Sequence, residues 1–207
     1  MFEGLRGLAT RVLTPPARLL LRIGIGPDAV TLTGTTIVVV TALWAFPTGH
    51  LLVGGIIVAL TALADSLDGV MARLGGRSGP WGAFLDSTMD RFADAAVFAG
   101  LVLWFAGRGD DRLAMVLALA CLVLGSIVPY ARARAEGVGL TAKVGIAERT
   151  DRLFVALAAT ILVGAGAPSV VLTVALGLLA VASAITVGQR IAVVRRQTST
   201  AADQAAS

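Results

Sequence analysis

Residues 29–64 read AVTLTGTTIVVVTALWAFPTGHLLVGGIIVALTALA, a run that contains no Asp, Glu, Lys or Arg. The run is about twice as long as the roughly 20 apolar residues that one membrane-spanning helix needs. It is interrupted near its middle by the segment PTGH at residues 47–50, which holds the proline and glycine that punctuate helices. The stretch therefore predicts two transmembrane helices joined by a tight turn.

Two further charge-free runs lie downstream. Residues 153–189 again have the length of two spans, with a break at the segment GAGAP of residues 164–168, and residues 113–131 have the length of one. The whole chain of 207 residues is 57% hydrophobic and 14% charged, whereas a soluble domain carries about 25% charged residues. This composition excludes an ordinary soluble domain.

These runs predict an all-α integral membrane protein with six transmembrane helices. Residues 1–22 mix leucines and arginines at helical spacing, as expected for an amphipathic helix that lies in the membrane surface among the lipids. The polar segment 197–207 has too little apolar surface to fold alone and is predicted to be disordered. This leaves residues 23–196 as a single transmembrane domain. The six predicted spans are residues 30–47, 51–73, 82–107, 112–134, 151–165 and 169–194.

The basic residues are distributed unevenly between the two sides that this topology defines. Fourteen Lys and Arg residues fall on the side that holds both termini, and only Arg108 and Arg112 fall on the other. Because cytoplasmic loops of membrane proteins are enriched in Lys and Arg, both termini are predicted to be cytoplasmic, in the cell membrane. The net charge of +4 then reflects topology, and we expect no nucleic-acid partner.

Four aspartates lie near the cytoplasmic ends of the second and third predicted spans, where ionised groups are costly unless they are paired, hydrated or bound to a cation. Asp65 and Asp68 are three residues apart and Asp86 and Asp90 are four apart, so each pair lies on one helix face. If the two faces meet, four carboxylates surround one or two divalent cations. Oxygen ligands of this kind favour magnesium. A divalent-cation channel or transporter is an alternative function for such a site.

Other residues near these acids have two interpretations each. Asp94 forms an ion pair with Arg91 in the same helix under the simpler interpretation. Gly69 and Gly82 are either helix-packing glycines or positions where a phosphate group approaches the backbone closely. Their location beside the acids favours the second interpretation for the glycines.

The spacing of these residues resembles the signature of the CDP-alcohol phosphotransferases. The matching segments are DSLDGVMAR at residues 65–73 and GAFLDSTMD at residues 82–90, with eight specified positions over 26 residues. The segment PDAVT at residues 27–31 also resembles the short stretch that contacts the nucleotide in that family. The resemblance implies transfer of a substituted phosphate from a CDP-linked lipid to an acceptor hydroxyl, with CMP as the leaving group.

The resemblance also implies roles for individual residues and a homodimeric assembly. It implies that Asp65, Asp68 and Asp86 are metal ligands and that Asp90 is both a metal ligand and the general base. It also implies a cofactor of two Mg²⁺ ions per active site, for which Mn²⁺ can substitute. The residues implied to bind CDP-diacylglycerol are Asp28, Thr31, Gly69, Arg73 and Ser78.

Four arginines are candidates for binding a phosphate group on the acceptor: Arg132, Arg134, Arg149 and Arg190. The alternative is that they only set topology and contact anionic lipid headgroups. The segments 85–98 and 132–136 resemble those of the phosphatidylinositol phosphate synthases, a group within the family that joins CDP-diacylglycerol to inositol 1-phosphate. Phosphatidylglycerophosphate synthase, whose acceptor glycerol 3-phosphate is also a phosphorylated polyol, is the main alternative.

Overall fold

The protein was analysed as a computed structural model, which describes residues 13–75 and 79–206. Within these ranges all regular secondary structure is helical, which confirms the predicted all-α class. Helix α1 is described over residues 13–22. The other helices are α2 (Pro27–Ala45), α3 (Leu51–Ala64), α4 (Ser66–Leu74), α5 (Pro80–Ala106), α6 (Arg112–Gly137), α7 (Arg149–Gly164) and α8 (Val170–Ala206).

Among the residues that the structure describes, four segments are long and apolar enough to cross a membrane: Pro27–Ala45, Leu51–Leu74, Arg112–Gly137 and Val170–Ser199. The second of these runs through both α3 and α4. Helix α5 is as long, but three charged residues, Asp90, Arg91 and Asp94, lie near its middle and make it less apolar. Helix α7 is too short, at 16 residues. The third and fifth predicted spans are therefore helices in the structure. The charged residues of α5 and the short length of α7 set these two helices apart from the four apolar segments.

The helices pack around an apolar core. Helix α2 packs against α3 and α5, α6 packs against α5 and α8, and α3 packs against α7. Phe46, Phe98, Leu101 and Phe105 are each at most 2% exposed at the centre of this core. The bundle thereby holds the end of α3, which leads into α4, and the first half of α5 in fixed positions, and these segments carry the aspartates of the predicted site.

Two glycines allow particularly close contact between helices. A Cβ atom at Gly100 of α5 would lie 2.3 Å from the backbone oxygen of Ala42 in α2, and one at Gly164 of α7 would lie 2.2 Å from the backbone nitrogen of Leu52 in α3. No side chain fits at these distances. The α2–α5 and α3–α7 contacts are therefore backbone-to-backbone, and glycine is required at both positions.

Helix α1 packs against α4. Ala17 is fully buried and forms a small apolar cluster with Val70 and Met71, whereas Leu19 on the opposite face is exposed. The predicted interfacial helix begins at residue 1, and residues 1–12 lie outside the described residues. In its described part, α1 supports the short helix that carries Asp68.

The end of α8 differs from the sequence prediction. Residues 197–206 are predicted to be disordered, but α8 continues through them to Ala206. The segment is rich in alanine, which has the highest intrinsic helix propensity. Gln197 adds a tertiary anchor, since its amide accepts from the backbone nitrogen of Thr141 at 3.0 Å and donates to the Thr141 oxygen at 2.6 Å. The helix therefore continues through this polar segment although the segment has few apolar residues to bury.

The loop between α6 and α7 is attached to α8 by three side chains, those of Thr186, Arg190 and Gln197. The Thr186 hydroxyl accepts hydrogen bonds from two successive loop nitrogens, each at 3.2 Å. The Arg190 Nε donates to a loop carbonyl at 2.9 Å. The loop residues that these side chains contact are Thr141, Val144, Ile146 and Ala147. The attachment fixes the approach to α7, whose first residue is Arg149.

Candidate active site

Three of the four aspartates predicted to bind metal lie together. Asp65 follows the last residue of α3, Asp68 lies in the first turn of α4, and Asp86 lies near the start of α5. One carboxylate oxygen from each lies within 4.8 Å of the others. Asp68 is buried, Asp65 is partly buried and Asp86 is exposed. We refer to these three residues as the carboxylate cluster.

Asp90 is next to this cluster but is paired with a cation of the protein. It lies one turn along α5 from Asp86, and its Oδ1 is 2.8 Å from the Arg149 guanidinium. The same guanidinium lies 4.0 Å from Asp65. The positive charge of Arg149 thus lies between the cluster and Asp90, where it offsets the repulsion among four carboxylates.

The cluster has the chemistry of a divalent-metal site. Three carboxylates converge from the α3–α4 junction, from α4 and from α5. Hard cations such as Mg²⁺ and Mn²⁺ prefer oxygen ligands of this kind. The mutual spacing of 4.8 Å or less allows one cation to contact all three. The donor set therefore fits the predicted metal.

A cavity of about 500 Å³ opens beside the cluster, a volume within the range of small-molecule sites. It lies between the start of α2, one face of α4 and the first turns of α5. Four of the five residues predicted to bind the CDP-linked substrate are among those that line it. The lining residues include Asp28, Thr31, Asp65, Asp68, Gly69, Arg73, Gly82 and Asp86. The fifth predicted residue, Ser78, lies outside the described residues.

Hydrogen bonds fix the orientation of Asp68. The buried Thr31 hydroxyl of α2 donates to Oδ2 of Asp68, and the backbone N–H of Gly69 donates to Oδ1 at 2.6 Å. Both carboxylate oxygens are therefore held, one by a neighbouring helix and one by the next residue. The structure thus gives Thr31 a direct partner within the carboxylate cluster.

Trp81 was not among the predicted site residues. Its indole Nε1 donates to Asp28 Oδ2 at 3.0 Å, so it joins the start of α5 to the start of α2 at the rim of the cavity. The sequence signal for such a contact is weak, because the two residues are 53 positions apart and an exposed tryptophan near a span is common at membrane interfaces.

Gly69 and Gly82 are not needed for helix packing. A Cβ at Gly82 would meet nothing within 4 Å, and one at Gly69 would meet only the end of the Arg73 side chain, at 3.6 Å. Both glycines line the cavity. Their surroundings therefore favour the interpretation that these glycines leave space for a ligand over the interpretation that they serve helix packing.

The four arginines predicted to bind the acceptor phosphate have different surroundings. Arg149 lies beside the acids, as described above. Arg190 is buried and donates to the backbone oxygens of Val144 and Val128. Arg132 is exposed and pairs with Glu136 one turn away at 3.1 Å, and Arg134 is also exposed. Among the described contacts, only those of Arg149 reach the aspartates.

Arg152 has a structural role that was not predicted from the sequence. It is 2% exposed and donates to the backbone oxygens of Gly125 at 3.3 Å and Ala147 at 3.1 Å. Gly125 lies four residues before Pro129, which lies inside α6 and lacks the N–H that would otherwise bond that oxygen. Pro129 within the predicted span was the sequence feature that could have indicated a backbone oxygen in need of a partner.

Comparison with known proteins agrees with this geometry. Residues 25–186 match the sequence pattern of the family described as CDP-alcohol phosphatidyltransferase. The matched range includes the carboxylate cluster, Asp90 and the whole cavity. This chain belongs to the CDP-alcohol phosphatidyltransferase family. It is therefore an enzyme of phospholipid biosynthesis, and the alternative of a cation channel or transporter is not supported.

Individual relatives are similar over nearly the whole chain. The phosphatidylinositol phosphate synthase of Cutibacterium acnes is 47% identical over 203 residues, which cover 95% of this chain and 98% of the relative. That of Streptomyces avermitilis is 45% identical over 202 residues, covering 95% of this chain and 83% of the relative. The resemblance to the actinobacterial phosphatidylinositol phosphate synthases is thus confirmed.

Solved structures are similar as well. The crystal structure of Mycobacterium tuberculosis phosphatidylinositol phosphate synthase with CDP-DAG bound has a TM-score of 0.86 and 44% identity, covering 89% of this chain and 94% of that one. The same mycobacterial enzyme in complex with manganese and citrate has a TM-score of 0.85 and 43% identity, with 88% of each chain covered. The bundle described here is therefore the fold of a family enzyme that has been crystallised with a nucleotide-linked lipid and with a divalent metal.

Proposed function

We propose that this enzyme transfers the phosphatidyl group of CDP-diacylglycerol to a hydroxyl of inositol 1-phosphate, giving phosphatidylinositol phosphate and CMP. One observation carries the proposal. Three carboxylates that suit a divalent metal lie at the wall of a cavity lined by residues suited to a CDP-linked lipid, with Asp90 and Arg149 beside them. The names of the relatives support the choice of substrates.

Asp65, Asp68, Asp86 and Asp90 would hold two Mg²⁺ ions in each active site, and Mn²⁺ would substitute. When bound, the cations neutralise the diphosphate and help to align the attacking and leaving oxygens. We expect chelation with excess EDTA to abolish turnover and added Mg²⁺ to restore it. Full turnover by a preparation that elemental analysis finds free of metal would contradict this assignment.

The nucleotide-linked lipid would occupy the cavity. Arg73 presents a fork of donors suited to the diphosphate, and Gly69 leaves room for close approach to the backbone. Thr31 would act mainly through Asp68, to which it is hydrogen-bonded. Asp28 and Ser78 are the remaining proposed contacts of the CDP group.

The proposed transfer is a single displacement at the phosphorus of the phosphatidyl group. Asp90 takes the proton of the acceptor hydroxyl through a carboxylate oxygen. The hydroxyl oxygen then forms a bond to phosphorus, and the bond from phosphorus to the CMP oxygen breaks. CMP leaves with the electron pair of that bond. A carboxylate has two oxygens, so Asp90 has the atoms to act both as a ligand and as a base.

Arg132, Arg134, Arg149 and Arg190 are proposed to bind the phosphate of the acceptor. The proximity of Arg149 to Asp90, at 2.8 Å, supports this role best, because a phosphate bound there leaves the acceptor hydroxyls within reach of the base. A charge-assisted hydrogen bond contributes about 1.5–3 kcal/mol. Each alanine substitution should therefore raise the acceptor KM about tenfold or more while the KM for CDP-diacylglycerol changes little. Unchanged acceptor KM values in all four variants would contradict the phosphate site and favour a purely topological role.

An acceptor screen tests the proposed reaction. Purified protein is given CDP-diacylglycerol and Mg²⁺ with inositol 1-phosphate, free inositol, glycerol 3-phosphate or serine, and CMP release is measured. We expect release with inositol 1-phosphate and little with free inositol. Preference for glycerol 3-phosphate would instead assign the enzyme as a phosphatidylglycerophosphate synthase, and use of free inositol would remove the need for a phosphate site.

We propose further that residues 23–196 form a six-span domain in the cell membrane, with the active site and both termini in the cytoplasm. The excess of basic residues on the side of the aspartates supports this orientation. Residues 1–22 would lie along the membrane surface, and two copies of the chain would form a homodimer, as the family resemblance implies. Light scattering of the purified protein tests the dimer, since a single chain per particle would contradict it.

A further inference from the structure

Asp94 is a buried acid that the proposed reaction does not use. It lies one turn beyond Asp90 in α5 and is 7% exposed. Its Oδ1 accepts a hydrogen bond from the Arg149 Nε at 3.0 Å, whereas its Oδ2 lies 3.8 Å from Arg91. The closer partner is thus in α7 and not in the same helix, although the sequence favours the intrahelical pair.

The remaining nitrogens of Arg149 point to the other acids. One terminal nitrogen lies 2.8 Å from Asp90 and the other lies 4.0 Å from Asp65. A guanidinium group is planar and rigid, so the hydrogen bond at Nε determines the directions in which the two terminal nitrogens point. Asp94 therefore holds Nε while the two terminal nitrogens face Asp90 and Asp65.

The backbone of Arg149 is fixed independently of these contacts. Arg149 is the first residue of α7, and Glu148 and Asp151 on either side of it form a capping box, in which each side chain accepts from the other residue's backbone N–H. The long side chain of arginine nevertheless has many rotamers, and ordering it is entropically costly. The contact with Asp90 and the hydrogen bond from Nε to Asp94 together restrict the guanidinium itself.

We propose that Asp94 is a positioning residue for the acceptor, because it orients Arg149 so that the two terminal nitrogens meet the acceptor phosphate. The inference rests on the proposed function, which supplies that phosphate. Of the three carboxylates around Arg149, Asp65 and Asp90 belong to the proposed metal-ligand set, and Asp94 does not. Asp94 is therefore not needed to bind a metal ion and can stay hydrogen-bonded to Arg149 during the reaction.

The test compares steady-state constants of wild type and Asp94→Asn, which keeps the shape of the side chain and removes its charge. The acceptor KM should rise about tenfold, the effect of losing about 1.4 kcal/mol, while the KM for CDP-diacylglycerol stays within about twofold. In an Arg149→Ala background the same substitution should add almost nothing, because residues that act through one another are not additive. Calorimetric binding of inositol 1-phosphate provides a second measurement and should weaken in parallel.

Three variants serve as controls. Asp111→Asn removes the charge of a partly buried aspartate at the start of α6, hydrogen-bonded to Ala114 and Thr173, and should leave the acceptor KM unchanged. Asp94→Glu keeps the charge and should keep the acceptor KM within about threefold of wild type, since charge-assisted bonds are the strong ones. Arg91→Gln removes the intrahelical partner of Asp94 and should not reproduce the effect of Asp94→Asn.

Several results would overturn the proposal. These are an unchanged acceptor KM in Asp94→Asn, full additivity with Arg149→Ala, or the same loss in Arg91→Gln. Failure of both Asp94→Asn and Asp94→Glu to fold would assign Asp94 to structure alone. A wild type that uses free inositol as well as inositol 1-phosphate would instead contradict the proposed function, so the two failures are distinguishable.

Discussion

At the scale of single residues, the sharpest difference between Asp90 and the other acids is its partner. Asp65, Asp68 and Asp86 face one another, with Asp65 4.0 Å from the Arg149 guanidinium, whereas Asp90 lies only 2.8 Å from that guanidinium. We expect Asp90→Asn to lower turnover by about 10²–10⁴-fold, the usual contribution of a general base, while CDP-diacylglycerol still binds. Asp65→Ala should impair both binding and turnover. A near wild-type rate in Asp90→Asn, measured as CMP release, would contradict the assignment of the base.

Gly82 provides a test of the cavity. Because a Cβ there meets no protein atom within 4 Å, Gly82→Ala should leave the free energy of unfolding almost unchanged. If the cavity holds the CDP-linked lipid, the added methyl group should raise its KM about tenfold, in line with the cost of about 1–3 kcal/mol for overpacking a filled site. An unchanged KM would mean that the lipid does not approach this wall.

At the scale of the helices, Gly100 is expected to behave in the opposite way. A Cβ there would lie 2.3 Å from the backbone of α2, whereas one at Gly177 of α8 would lie 3.7 Å from Leu117, an ordinary contact distance. Gly100→Ala should therefore lower the free energy of unfolding by about 1–3 kcal/mol, and Gly177→Ala should not. Thermal unfolding of the two variants in detergent measures the difference, and equal Tm values would contradict the close α2–α5 contact.

The attachment of the α6–α7 loop to α8 gives a second prediction at this scale. Thr186 is fully buried, and its hydroxyl accepts from two loop nitrogens. Thr186→Val keeps the shape but leaves those donors unpaired, so we expect a loss of about 1–3 kcal/mol. The exposed Thr36, which bonds only within its own helix, is the matched control. If Thr186→Val and Thr36→Val show the same Tm, the loop is not held by this contact.

Much of the element structure could be predicted from the sequence, because apolar runs and their breaks determine where membrane helices begin and end. The short α7 could be predicted because the break at residues 164–168 divides the charge-free run 153–189 into two helices. The helix at residues 197–206 was missed, because composition does not reveal that Gln197 anchors it to Thr141.

At the scale of the whole molecule, those site residues could be predicted that belong to the motif of residues 65–73 and 82–90. The motif identified the residues that line the cavity and the acids around it. It did not predict that Arg149 joins Asp90 to Asp94 or that Trp81 bonds Asp28, because these pairs are separated by more than 50 residues. Such contacts depend on how the helices are arranged in the bundle and not on local spacing.

The central claim is that the phosphatidyl group of CDP-diacylglycerol moves to inositol 1-phosphate. The most direct measurement is the product stoichiometry of purified protein supplied with both substrates and Mg²⁺, with CMP and lipid quantified by mass spectrometry. The proposed reaction predicts one phosphatidylinositol phosphate for each CMP. CMP released together with phosphatidic acid, or no lipid product from inositol 1-phosphate under conditions where glycerol 3-phosphate reacts, would contradict it.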